Sequence, residues 1–282
     1  MADPGELLDA DSGFHQCKRC RHGYMLYNIH DTHIGKALHH YGEWAEAEMV
    51  LLGAILQEGS VVIDVGANIG THTVFFSNAV GAAGKVLAFE PQRILFQALC
   101  ANAAMNSLTN VFTFNTAVGA GGGNITVPAI DYSQPLNFGG VSLVDAEQGA
   151  TVPVLGLDEL LLPGCHLIKI DVEGMELEVI NGAVKLIQSC KPVLYVENNQ
   201  SDRSPALIAR LQELGYHLYW HFSPFYSPDN YFGNEENVLG HWVNTNLLAV
   251  PMPVDGLLDV TGVDDTAEAA LERLTGQSPV PD

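Results

Sequence analysis

The chain has 282 residues, room for one large domain or two small ones with a core of useful size. Apolar residues make up 47% and charged residues 16%, which excludes a disordered chain. Acids outnumber bases 33 to 12, a formal charge of −21, which argues against a nucleic-acid partner and against docking on an anionic membrane surface.

The five cysteines (Cys17, Cys20, Cys100, Cys165 and Cys190) are sparse and odd in number, so no disulfide framework is expected. The N-terminus lacks the basic and apolar regions of a signal peptide. No apolar run approaches the roughly 20 residues that span a bilayer. A reduced, cytoplasmic protein is the expectation.

Residues 1–13 are acidic and are expected to fray. His15–His40 is rich in histidine, and a helical pattern follows from Trp44 to Leu56. From Ser60 strand and helix alternate. Strands are predicted at Val61–Ile63, Lys85–Phe89, Val111–Phe114, His166–Ile170, Pro192–Val196, Tyr216–His221 and Asn246–Val250. Helices are predicted at Thr71–Val80, Arg93–Met105, Met175–Gln188 and Pro205–Leu214. Such alternation specifies an α/β fold: a doubly wound, mostly parallel seven-stranded sheet with helices on both faces, here behind an N-terminal helical cap. Gly119–Ala150 shows only weak strand patterns, and Phe222–Gly240 is an aromatic loop. The organisation expected is a cap at 1–50, a main domain at 51–252 and an acidic tail at 253–282, with a short helix near Ala267–Leu274.

The strongest motif is Asp64-Val-Gly66-Ala-Asn68-Ile-Gly70-Thr71, where a buried strand runs through a glycine turn into a helix. Glycine permits a tight turn and a close backbone approach, and the new helix offers free N–H groups. The spacing is not the G-x-G-x-x-G of dinucleotide folds, which disfavours a nicotinamide dehydrogenase. Glu90 ends the next strand, 20 residues after Gly70, where an acid can accept from both hydroxyls of a ribose. The plainer reading of Glu90 is a first-turn helix acid. Leu167–Ile170 ends in Asp171, Glu173 and Glu176, and the following strand ends in Glu197. Carboxylates there stand at the carboxyl edge of the sheet, where open α/β sheets bind ligands. Lys169, inside its strand, can pair with one of them.

Taken together, Tyr41-Gly-Glu43-Trp44 with Glu48, Asp64 to Gly70, Ala88-Phe-Glu90-Pro91, Asn137-Phe-Gly-Gly140 and Lys169-Ile-Asp171-Val-Glu173-Gly174 resemble the FkbM-type family of class I S-adenosylmethionine-dependent methyltransferases. The resemblance runs from about Gly23 to Pro251. It implies S-adenosylmethionine as cofactor. Its methionine part would lie against Asp64, Gly66, Asn68, Gly70 and Thr71. Its ribose would lie on Glu90, and its adenine against the Asn115-Thr116-Ala117-Val118 turn. Asp171 would face the sulfonium or the acceptor, and Glu43 and Glu48 would close over the cofactor. Known members are mostly O-methyltransferases of sugars or polyketides, and some relatives methylate nitrogen.

The function expected is therefore O-methylation of a hydroxyl on a small, glycosylated or polyketide metabolite. N-methylation of a peptide or amide side chain is the alternative. A catalytically silent cofactor-binding scaffold is the reading from another class. Asp171 is the first choice of base, then His72, then Glu197. Trp44, Asn137, Ser142, Phe222 and Tyr231 are the acceptor-site candidates. No spacing demands a metal, and Cys17-Lys-Arg-Cys20 with His15 and His22 is too cramped to favour one. The partner expected is a small-molecule or peptide methyl acceptor; a homodimer stays open.

Overall fold

The computed structural model describes residues 13–144, 146–199, 202–254 and 260–263. The core begins with the strands predicted to be apolar along their length. β3 (Val61–Val65), β4 (Lys85–Phe89), β5 (Val111–Phe114), β9 (Leu167–Ile170) and β10 (Val193–Glu197) pair in parallel. β12 (Val243–Val250), β11 (His217–Pro224) and β13 (Val260–Gly262) extend the sheet antiparallel. The order is β13-β11-β12-β10-β9-β3-β4-β5. From β3 the chain moves outward through β4 to β5, then returns to β9 on the other side of β3. The strand order thus reverses between β3 and β9, and the ends of those two strands frame the crevice where such sheets take ligands.

The pleat sends alternate residues to opposite faces. Val62, Val86, Leu167, Tyr195 and Leu248 meet α2 (Glu46–Ile55) and α3 (Thr71–Val80). Ile63, Ile168, Leu194 and Leu247 meet α5 (Glu176–Asn181), α6 (Val184–Cys190) and α7 (Ser204–Glu213). α4 (Arg93–Met105) joins the first layer, with Leu99 against Ala67 and Ala88.

The α/β reading holds, with four differences in detail. The sheet has eight strands rather than seven, because Val260–Gly262, assigned to the tail, pairs with β11. The remaining tail expectation, a helix near Ala267–Leu274, lies outside the described residues. The stretch from Gly119 to Ala150 is not featureless: β6 (Ala117–Val118), β7 (Asn124–Pro128) and β8 (Gly149–Leu155) form a three-stranded sheet. The N-terminal segment holds a hairpin, β1 (His15–Arg19) and β2 (Tyr24–Asn28), and a helix, α1 (Ile34–Tyr41), before the predicted α2. The helix predicted at Met175–Gln188 breaks into α5 and α6 at Gly182, where a Cβ would stand 1.9 Å from the Gly119 carbonyl oxygen.

A buried amide helps tie the cap to the core. Asn102, buried on α4, accepts from the Leu26 N–H (2.6 Å) and donates to the carbonyls of Leu26 (3.1 Å) and Ile69 (2.7 Å). The hairpin is thereby fixed to the glycine turn that follows β3.

Candidate active site

β3 ends in a turn built from positive backbone angles. Gly66 (φ 78°) and Gly70 (φ 90°) flank Asn68, which itself takes φ 52°. Asparagine tolerates that region because its short side chain bonds locally, and Asn68 Oδ1 accepts from the Ile69 N–H at 2.8 Å. A Cβ on Gly66 would stand 1.7 Å from the Asp171 carbonyl oxygen, so only glycine lets β3 and β9 run this close. Gly70 leads into α3 and packs on Leu99.

A cleft opens above this turn. Gly66, Glu90, Thr116, Ala117, Gly139 and Asp171 are among the residues that line it. Glu90 is buried and accepts from the N–H groups of Asn68 (2.9 Å) and Gln92 (2.7 Å), one on each oxygen. A carboxylate has about four acceptor positions, so capacity remains toward the cleft. Burial pushes the Glu90 carboxyl up to about 7, against the pull of those two donors. Asn115 Nδ2 donates to the carbonyls of Glu90 and Pro91, which holds the end of β4 in place. Gln92 is a member that sequence reasoning missed. Its amide donates to Phe138 O (2.9 Å) and accepts from Tyr132, latching the Asn137–Gly140 segment to the cleft.

Asp171 occupies the β9 end of the cleft. Lys169 Nζ lies 3.2 Å from Asp171 Oδ2 and 3.7 Å from Asp64 Oδ1. Burial alone would lower the lysine, but Asp171, Asp64 and Glu48 more than offset it and hold Lys169 as a cation. Asp171, Glu173 and Glu197 bring carboxylate oxygens within 4.8 Å of one another. Burial, then the negative charge of Asp171, pushes Glu173 and Glu197 upward. The turn after β9 is pinned from both sides: Ser142 Oγ donates to Glu173 O (2.9 Å), and Arg203 donates to Gly174 O.

The structure therefore gathers Gly66, Glu90, Ala117 and Asp171 in one cleft and sets Glu197 beside Asp171. The other sequence candidates stand elsewhere. Asp64 is sealed beneath the turn, accepting from Thr73 Oγ1 at 2.6 Å. Thr71 and His72 are buried in the first turn of α3. His72 meets Glu48 at 3.0 Å, and Glu48 also accepts from Asn244 and Asn246. Despite the cost of its burial, the His72 hydrogen bond and charge hold Glu48 below the ordinary carboxylate range. Glu43 pairs with Arg21 and accepts from the Tyr231 N–H.

Among the acceptor candidates, Trp44 is buried against Phe225, with ring centroids 4.7 Å apart. Asn137 folds back on the Gly140 N–H. Ser142 contributes through the Glu173 carbonyl. Phe222 belongs to β11, stacked on Trp220 over the sheet core, because that strand runs on to Pro224. Tyr231 is half-exposed beside Phe232 and Arg21, over Gly42. Neither Phe222 nor Tyr231 lines the cleft. The Cys17 and Cys20 pair is buried in the cap; Cys17 turns to Met105, and His22 to Glu46.

The family model of the methyltransferase FkbM domain matches residues 64–218, over half of the chain. The chain belongs to the FkbM methyltransferase family. The family's methyl donor is S-adenosylmethionine. Hexuronic acid methyltransferase AglP of Haloferax volcanii is 32% identical over 142 residues, covering 49% of this chain and 56% of that protein. Methyltransferase sdnD of Sordaria araneosa is 28% identical over 162 aligned residues, covering 46% and 62%. This FkbM-family chain thus spans less than two thirds of the length of either relative. The structure of methyltransferase FkbM from Methylobacillus flagellatus shares 19% identity, covers 70% of this chain and 45% of that one, and aligns with a TM-score of 0.45.

The residues present fit the donor. Gly66 and Asp171 line the cleft, and Glu90 lines it as an acceptor for paired hydroxyls. Among the described residues, no helix is long and apolar enough to cross a membrane.

Proposed function

We propose that this chain transfers a methyl group from S-adenosylmethionine to a hydroxyl of a small acceptor, with a sugar hydroxyl as the first candidate. The observation that carries the reading is Asp171, one-third exposed at the cleft end of β9 with a lysine fixed behind it. The sugar assignment draws on the relative named for hexuronic acid.

When bound, the donor supplies an activated methyl group. The chain's own residues then have three tasks. Glu90 holds the ribose hydroxyls, and the Gly66–Gly70 turn and Asn68 hold the methionine part. Asn115 to Ala117 bound the adenine side. Asp171 orients the acceptor hydroxyl and takes its proton; alignment at roughly 3–3.5 Å supplies most of the rate. Glu197 and Glu173, pushed upward, are poised as proton holders beside it rather than as further anions. His72 is committed to Glu48 and is the weaker candidate for base.

The test is radiolabelled methyl transfer from S-adenosylmethionine to a panel of acceptors: methyl glucoside, methyl glucuronide, a glycosylated polyketide and an asparagine-containing peptide. Label on a sugar or polyketide oxygen, located by mass spectrometry, is the expected result. Label on the peptide amide replaces the reading with N-methylation. Binding of the donor without transfer to any acceptor favours the silent scaffold.

A further inference from the structure

Lys169 is buried and does not line the cleft. It stands in the middle of β9, in register with Asp64 on β3 and Tyr195 on β10. Burying an ammonium is costly unless it is paired, and one acid would suffice to pair it. Asp64 and Asp171 bracket it instead, and Glu48 adds a third negative charge nearby. Asp64 is fixed from the other side by Thr73, and its Oδ1 has no hydrogen-bond partner, only the Lys169 ammonium at 3.7 Å. The ammonium is therefore held from below and bonds Asp171 Oδ2 from above.

Asp171 needs such a hold. It is ringed by acids: Glu90 from β4, Glu173 and Glu176 from the turn and helix that follow, and Glu197 from β10. Carboxyl groups this close share protons, and the shared proton locks their oxygens onto one another. Nothing in the spacing of Asp171, Glu173 and Glu197 itself chooses which of the three is the base. The ammonium makes the choice, because it bonds Asp171 Oδ2 while a third of the Asp171 side chain stays exposed.

We propose that Lys169 is a positioning residue for methyl transfer: its grip on Asp171 Oδ2 makes Asp171, rather than Glu173 or Glu197, the carboxylate that takes the acceptor's proton. This rests on the O-methylation reading. In the step itself the acceptor oxygen bonds the methyl carbon, the carbon–sulfur electron pair goes to sulfur, and the acceptor proton passes to the Asp171 carboxylate. Lys169 keeps its proton throughout.

The experiment is a double-mutant cycle. Lys169→Gln should cut turnover about 100-fold while the donor Kd and the acceptor KM move less than about threefold. In an Asp171→Asn background the same substitution should cost nothing further. Lys169→Arg should restore most of the turnover. An equal loss in both backgrounds, or loss of donor binding in step with turnover, overturns the proposal. A second readout needs no acceptor. In protein carrying ¹³Cγ-aspartate, the Asp171 resonance is identified by its absence from Asp171→Asn. Lys169→Gln should raise the pH at which it titrates; an unmoved titration overturns the proposal. If the wild type methylates nothing in the panel, the O-methylation reading falls, and the titration still decides the role of Lys169.

Discussion

Gly66 and Asp171 meet where the strand order reverses: a Cβ on the glycine would sit 1.7 Å from the carbonyl oxygen of the aspartate. The contact is backbone to backbone, so no rotamer change relieves it. Gly66→Ala must part β3 from β9 and also hold an alanine at φ 78°. The expected cost is about 3 kcal/mol, a fall of roughly 6–12 °C in Tm, with donor binding lost. Calorimetry on the variant checks both. An unchanged Tm would mean that the strands yield freely, and the close approach would not matter.

Glu90 gives a pH dependence with a definite sign. Its carboxyl is pushed up to about 7 by burial. A carboxyl raised in the folded state stabilises the protein below its ordinary range, and that stability is lost as pH rises through about 7. The apo chain should therefore lose up to about 3 kcal/mol from this group between roughly pH 4.5 and 7. Glu90→Gln should remove this component. Donor affinity should run the other way, since ribose hydroxyls donate to the ionised form: it should climb through pH 7 in the wild type and stay flat in the variant. Glu90→Ala should weaken donor binding roughly 10–100-fold, the worth of one to two charge-assisted hydrogen bonds. Titration calorimetry across pH 5.5–8.5 tests the sign.

Much of this was legible in the sequence, and the reasons are local. The bounds of α3, β4, α4 and β5 fall where apolar pattern, glycine and proline place them. Gly66, Glu90 and Asp171 were readable because each ends a buried strand or follows one directly. The hairpin was not, because it inverts the usual rule: Gln16 and Lys18 are buried beside Cys17. β7 is mostly half-buried and β8 mostly exposed, and neither alternates cleanly, which leaves little period to read. Phe222 suggested an acceptor wall by its aromatic company, yet its strand outruns the apolar run that defined it. Glu48 was placed near the cofactor from the family pattern. Its contacts with His72, Asn244 and Asn246 depend on residues 24 to 198 positions apart, which no local pattern reveals.

That Glu48 hub carries its own expectation. Glu48→Gln keeps the shape but removes the charge that the His72 bond and Lys169 favour. Because the Glu48 carboxyl is held below its ordinary range, its contribution is present at neutral pH and is lost as pH falls through the lowered value. The variant should be less stable than wild type at pH 7 by about 1–3 kcal/mol, and the difference should shrink on acidification. Urea denaturation at pH 7 and pH 4 decides this; a difference independent of pH would assign the hub to packing rather than charge.

Asn102 offers a test of how far the cap supports the cleft. Its amide serves Leu26 on the hairpin and Ile69 in the glycine turn at once. Asn102→Ala strands the Leu26 N–H and two carbonyls in a buried setting, at about 1–3 kcal/mol for each group left without a partner. Water entering the vacated space will satisfy part of this, so about 2–4 kcal/mol is the expected total. The informative quantity is donor affinity measured well below the Tm. If the cap holds the turn in its binding geometry, affinity should fall by about tenfold in the folded variant, since 1.4 kcal/mol of lost pre-organisation has that effect. A variant destabilised but binding at wild-type strength would make the hairpin a support of the fold alone.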